Sequence, residues 1–389
     1  MSFLRRASTR SVLFVVTAVV VLAAGGAAIA VAAGGGGPTP PAKPLDQAIH
    51  DALAATPADG VTARVTFTNK LFPSGSLVGQ AGSALMSGAS GRLWLTNDGR
   101  GRVELQSDAG DVQITWDTKQ ISIYDASSNT VYRADLPAGA DAASAGPDTN
   151  APPALAEIDS FLNTLGSRWA ISGAQPTDVA GRPAYSVSVA PKHDGGLLGS
   201  LELAWDAVQG VPLRVGVYAQ GGTQPVLQLA VTDIAYGAVP SSDVDVPPPA
   251  GAKVVDLGSG PAGAEKTSGP AVTGLDAVQA AAGFPVVAPD SLVGLPRKDV
   301  RLVGGKTAVV LYGQGLGGIL LVERKADTAS SGGSSALSSL PTVSLDGLTA
   351  HELSTPLGTV LQWQSGGTSY VLAGSLPAAA AESAARTVK

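Results

Sequence analysis

The chain has 389 residues, of which 44% are hydrophobic, 14% charged and 5% aromatic, with Gly (49) and Pro (27) abundant. That balance supports folded domains, two of them at about 150 residues each, because disorder requires fewer apolar residues and more charge. A formal net charge of −6 argues against a nucleic-acid groove, and the absence of cysteine excludes disulfides, thiol catalysis, zinc–thiolate sites and cysteine lipidation.

Arg5, Arg6 and Arg10 precede Val12 to Ala33, a run without a charged residue. At about 1.5 Å per residue this run reaches about 33 Å, enough for a hydrocarbon core of about 30 Å. Residues 1–33 therefore read as a membrane-targeting segment. Its length fits a retained single-pass anchor with the N-terminus inside, while Ala28-Ile29-Ala30 and Ala30-Val31-Ala32 offer the small-x-small pattern of a cleaved signal. Either outcome exports the remainder, since positive charge stays on the cytoplasmic side. Residues 34–44 (GGGGPTPPAKP) form neither helix nor strand and read as a tether.

Leu45, Ile49, Ala52 and Leu53 fall at helical spacing and predict a short amphipathic helix. Val61, Ala63, Val65 and Phe67 then alternate with polar residues, and the same period of two recurs over 102–106, 111–116 and 120–124. After a loop at 137–153, Leu155, Ile158, Phe161, Leu162 and Leu165 make one helical stripe. Strands are predicted again at 168–172, 184–189, 201–205, 213–218 and 226–234. A run of about ten antiparallel strands has to curl or close. The two helices then either fill its concave side as a lid or complete an ordinary α+β core.

The stretch Val246-Pro247-Pro248-Pro249 ends this region, 45–256, and 257–272 is a low-complexity linker. A second small α+β domain is expected over 273–389, with a helix through Leu275, Val278, Gln279 and Ala282. Strands are expected at 300–303, 307–312, 318–323, 341–345, 358–364 and 369–373, with a last helix at 378–388.

Little in the chain converges on catalysis. Gly313-Gln314-Gly315-Leu316-Gly317-Gly318 satisfies G-x-G-x-x-G but runs into the strand-like Ile319 to Val322 where a dinucleotide site needs a helix, so it reads as a hairpin turn. His193-Asp194 and His351-Glu352 lack a second ligand cluster, and Asp243 and Asp245 sit beside a polyproline stretch. No nucleophile has a neighbouring base, so no enzyme, metal or cofactor is expected. Trp94, Trp116, Trp169 and Trp205 lie in or beside strands and read as packing or as ligand-lining residues.

Three passages carry a resemblance: Val65-Thr66-Phe67-Thr68-Asn69-Lys70, Gly91-Arg92-Leu93-Trp94-Leu95, and residues 114–125 (ITWDTKQISIYD). With the closing residues 246–256 (VPPPAGAKVVD), they resemble in order the lipoprotein carrier family known as LolA. Related proteins are the envelope-stress regulator RseB and lipid-binding lipoproteins of the LprG and LppX type. The resemblance implies an unclosed β-barrel of antiparallel strands with a helical lid, enclosing an apolar cavity that takes acyl chains without making or breaking a bond. It also implies a lid-fastening arginine after the Leu-Trp strand, at Arg100 or Arg102.

The expected cavity lining is Val65, Phe67, Leu93, Leu95, Ile114, Trp116, Ile121 and Ile123 from the strands and Leu155, Ile158, Phe161 and Leu162 from the lid. The expected partners are the acyl chains of lipids or lipoproteins, and the membrane through the N-terminal segment. The alternative is an RseB-like sensor whose two domains bind an anti-sigma factor or another envelope protein.

Overall fold

The computed structural model describes residues 37–72, 84–136, 153–257, 272–326 and 340–388. The targeting segment expected at residues 1–33 and most of the loops expected at 137–153 and 257–272 lie outside the described residues. Among the described residues, no helix is long and apolar enough to cross a membrane. The chain divides into two compact units. One comprises Met1–Leu71, Val78–Pro191 and Ser200–Ala262, the other Phe72–Leu77, Lys192–Gly199 and Gly263–Lys389.

The first unit opens with α1 (Leu45–Ala54), β1 (Gly60–Asn69) and the single turn α2 (Ala84–Ser87). A meander follows through β2 (Ala89–Thr96), β3 (Gly101–Ser107), β4 (Gly110–Trp116), β5 (Gln120–Asp125) and β6 (Thr130–Asp135). After α3 (Leu155–Gly166) come β7 (Trp169–Ile171), β8 (Gln175–Val179), β9 (Arg182–Pro191), β10 (Leu198–Asp206), β11 (Pro212–Ala219) and β12 (Pro225–Tyr236). The turn α4 (Ser241–Val244) and β13 (Lys253–Asp256) close the unit.

Its 13-stranded sheet runs β13-β6-β5-β4-β3-β2-β1-β12-β11-β10-β9-β7, with β8 also on β9. The two ends of that order do not pair, so the sheet is unclosed. Strongly twisted sheets of this size curl, and the bulge of β12 opposite Arg64 and Val65 adds local bend. The expectation of purely antiparallel pairing needs one correction: β13 lies parallel to β6, with Val254 opposite Val131 and Asp256 opposite Arg133. The return from β12 passes Arg100, Arg102 and Gln113 and reaches Asn129 in the β5–β6 turn, so β13 starts beside the first residue of β6 and runs with it.

The second unit contains β14 (Val272–Thr273), α5 (Leu275–Ala281), β15 (Ser291–Leu292), β16 (Leu295–Val303), β17 (Thr307–Tyr312) and β18 (Ile319–Lys325). They are followed by β19 (Thr342–Leu345), β20 (Leu348–Thr355), β21 (Gly358–Ser365), β22 (Thr368–Gly374) and α6 (Ala378–Arg386). Its sheet runs β14-β16-β17-β18-β22-β21-β20-β19, with β15 on β16. One face is buried beneath α5 and α6, where Val278, Ala308, Val310, Leu321, Leu361, Leu372, Ala381 and Ala384 form a core. At its centre Trp363 stacks on Tyr370, ring centroids 5.2 Å apart, and the Trp363 Nε1–H donates to the Val388 carbonyl at 3.2 Å.

Candidate functional site

Alternation along β1 puts Val61, Ala63, Val65 and Phe67 on one side, and strand register extends that side across the meander. Ala63, Leu93, Val103, Ile114, Ile123 and Tyr132 form one row, Val61, Leu95, Gly101, Trp116, Ile121 and Ala134 the next. All eight strand residues expected to line a cavity therefore share one face. Phe67 and Ile114 are each 1% exposed; Val65, Leu95, Trp116 and Ile121 are also buried, and Leu93 and Ile123 half-buried. Gly101 is required in its row, because the Trp116 indole occupies the space where a Cβ would stand.

The helices differ from expectation at one residue. On α3, Ile158 is fully buried and Phe161 and Leu162 half-buried, but Leu155 is 43% exposed. Leu155 sits in the first turn, so the stripe reaches solvent at its N-terminal end. α3 packs against α1 and β7, and Ala48 of α1 is buried among Ala174, Tyr185 and Trp205. Two contacts pin the approach to α1. The Tyr185 hydroxyl donates to the Pro41 carbonyl at 2.6 Å, and Lys43, paired with Asp51 at 2.6 Å, lies over the Tyr185 ring. That ion pair raises the Lys43 pKa and lowers that of Asp51, in both cases mainly through the hydrogen bond.

Several buried polar atoms of this unit have no partner among the described residues, the side-chain amide of Gln228 and the Nε of Arg102 and Arg133 among them. The Nε1–H groups of Trp116 and Trp205 are buried without an acceptor among the described residues. A buried donor left unmade costs about 1–3 kcal/mol, so an oxygen brought within reach of either indole would be stabilised. Neither anomaly was legible from the sequence, where the tryptophans showed only strand spacing.

The arginines implied as lid fasteners do something else. Arg100 donates to Asp98 at 2.9 Å, to Asp245 at 2.5 Å and to Ser241 at 3.2 Å. Arg102 donates to the Asp243 carbonyl at 3.0 Å and stacks 4.9 Å over the Trp94 ring. Both hold the turn after the last long strand, and their hydrogen bonds, ion pairs and ring contact go to that turn, to β2 and its following loop, and to Glu104 of β3. Register explains this, since Arg102 stands opposite Trp94 and Thr115 and so points away from the apolar rows. A recess of about 290 Å³ lined by Gly91, Arg92, Glu104 and Gln106 is polar and unsuited to an acyl chain.

A second polar cluster is structural. Asp206 is fully buried and accepts from Arg182 Nε at 3.0 Å, Tyr236 Oη at 2.8 Å and the Val208 and Gln209 amides at 2.8 and 3.0 Å. Burial alone would push its carboxyl up, but these donors outweigh it and hold the pKa below the ordinary carboxylate value.

The remaining motifs do not assemble into chemistry. Residues 313–318 form the turn between β17 and β18, with a short 3₁₀ stretch at Gly315–Gly317. His351 and Glu352 are neighbours on β20 and so project to opposite faces; the His351 ring bonds the Leu340 carbonyl at 3.1 Å. Asp245 is the partner of Arg100, and Trp169 lies on the short strand β7. Among the described residues no group of three or more His, Asp or Glu could hold a metal.

With that geometry in place, the fold can be set beside solved structures. MucB in complex with MucA(peri) is 16% identical, the match covering 88% of this chain and 95% of that one at a TM-score of 0.40. The Pseudomonas aeruginosa MucA/MucB complex gives 17%, 88%, 94% and 0.39, and a LolA superfamily protein from Nitrosomonas europaea 8%, 53%, 99% and 0.23. No family model and no curated protein matches the chain. None of these structures reaches a TM-score of 0.5, so the functional reading rests on this chain's own residues.

Proposed function

We propose that this chain is an extracytoplasmic binding protein without catalytic chemistry, whose first unit receives acyl chains of lipids or lipoproteins against the apolar rows of β1–β5. The observation that carries the reading is the pair of acceptorless indole N–H groups, Trp116 on the apolar rows and Trp205 beside Ala48, Ala174 and Tyr185. An acyl chain supplies methylenes for the rows, worth about 0.8 kcal/mol each, and an ester or carboxyl oxygen for an indole. Close burial of Phe67 and Ile114 means that a guest enters only when what packs on these strands, the turn α2 included, moves aside. The proposed lining is the eight strand residues with Ile158, Phe161 and Leu162. The proposed tether is the uncharged run Val12 to Ala33, which holds the protein at the outer face of the membrane.

Chains brominated near the carboxyl end, delivered to the purified full-length protein, test this. Quenching of tryptophan fluorescence that weakens in Trp116→Phe supports the reading. Absence of quenching, together with absence of lipid in a solvent extract of the protein, sinks it.

A second reading makes the chain a regulator that holds an envelope protein, as MucB holds MucA(peri) in the solved complex. What favours it is the second unit with its own core, which a simple acyl-chain shuttle does not need. Crosslinking in membranes followed by purification separates the two, because a regulator retains one stoichiometric protein partner.

A further inference from the structure

The second unit buries a carboxyl group that its fold does not neutralise. Glu323 on β18 is fully buried, facing the core beside Ala308 of β17 and Tyr370 of β22. Its Oε2 accepts one hydrogen bond, from the Val287 amide at 2.9 Å, and its Oε1 has no partner among the described residues. No ion pair is made to it among the described residues, although the neighbouring cluster includes a guanidinium.

The residue it holds belongs to a strap, Gly283 to Asp290, that has no helix or strand of its own. Val286 and Ala288 of the strap are buried in the core. Side chains fasten it at three successive residues. Gln279 Nε2 of α5 donates to the Val286 carbonyl at 3.1 Å, Glu323 takes the Val287 amide, and Arg297 of β16 donates to the Ala288 carbonyl. The middle one of these three fasteners is a buried carboxyl group.

We propose that Glu323 is a proton-linked clasp, neutral when the strap is closed and ionised when the strap opens and water reaches the carboxylate. Titratable and polar groups surround it from each packed element. Tyr312 of β17 is fully buried, with its hydroxyl unpartnered, and Tyr370 of β22 stands directly opposite; both phenols are raised mainly by burial and further by Glu323. Arg297 is committed to Asp290 at 2.9 Å and to Ala288. α5 contributes the uncharged Gln279, and Glu382 of α6 is paired with Arg386 at 2.7 Å. None of these supplies a cation to Glu323. Burial accordingly pushes its carboxyl up to about 7 against an ordinary 4.5, with the Val287 amide pulling weakly the other way. A carboxyl raised in the closed state gives stability that is full below about 4.5 and is lost as pH rises through about 7.

The test is hydrogen exchange of the full-length protein from pH 5 to 8.5, followed by mass spectrometry on peptides spanning residues 284–290 and corrected for intrinsic base catalysis. Corrected exchange should rise about tenfold per pH unit between pH 5 and 7 and level off above 7. In E323Q it should be flat with pH. Equal corrected pH dependence in both proteins overturns the clasp. Should E323Q fail to fold, the carboxyl carbon of Glu323 is titrated by nuclear magnetic resonance in the native protein, where a midpoint near 7 supports the proposal and one near 4.5 overturns it.

Discussion

The interior tryptophans of the two units are treated in opposite ways. In the second unit the Trp363 indole is 2% exposed, stacks on Tyr370 and spends its N–H on the Val388 carbonyl. In the first, Trp116 and Trp205 are buried as deeply as most core residues, yet neither indole has an acceptor. Both units bury one face of a sheet, and each leaves donors unmade there among the described residues, the two indoles in the first and the Tyr312 hydroxyl in the second. On the acyl-chain reading proposed above, a guest supplies the acceptor that the two indoles lack.

The largest change expected of a substitution tests the closed half of that contrast. Trp363→Ala should cost about 3–5 kcal/mol, read as a lowered urea midpoint, because it leaves a cavity and frees Tyr370. Asp206→Asn should cost about 2–3 kcal/mol at pH 7, since it weakens a buried acceptor of several donors. It should also flatten the acid limb of stability. A carboxyl lowered in the folded state contributes stability above its unfolded value near 4, which disappears as pH falls. Thermal melts from pH 3 to 7 check this, and a variant as acid-sensitive as the native protein would assign the effect to another group.

Gly101→Ala should cost about 1–3 kcal/mol by driving the Trp116 indole out of its place, and should abolish quenching by a brominated chain. Trp116→Phe should change stability by less than about 1.5 kcal/mol while weakening chain binding, because it removes an unpaired donor along with the indole. Equal losses of stability and binding in that variant would remove the distinction between the units. Arg100→Ala should matter least, at about 0.2–1 kcal/mol in denaturant melts, because its ion pairs with Asp98 and Asp245 are partly exposed.

What the sequence disclosed follows the regularity of its patterns. Val61 to Phe67 alternate without a break, and β1 came within two residues at either end. Leu348 to Thr355 was not read as a strand because Glu352 stands on an inward position; a buried, unpaired carboxyl interrupts the alternation that reveals a strand. β6 was missed similarly, Arg133 and Asp135 interrupting its apolar residues. The eight apolar strand residues could be placed on one face because a period of two survives any error in register that keeps parity. Leu155 could not, since a helical stripe does not show where its helix leaves the protein. The roles of Arg100, Arg102 and Glu323 depend on contacts between residues far apart in the chain, at Asp245, Asp243 and Val287, which no local pattern encodes.

The parallel pairing of β13 with β6 has a mechanical consequence. Two strands running the same way finish at the same end, so the chain leaves for the second unit at Asp256, beside the point where β6 hands on toward α3. Tension on that exit loads a ladder of only four residue pairs in shear, and the load falls on β6, the last strand before α3 in the chain.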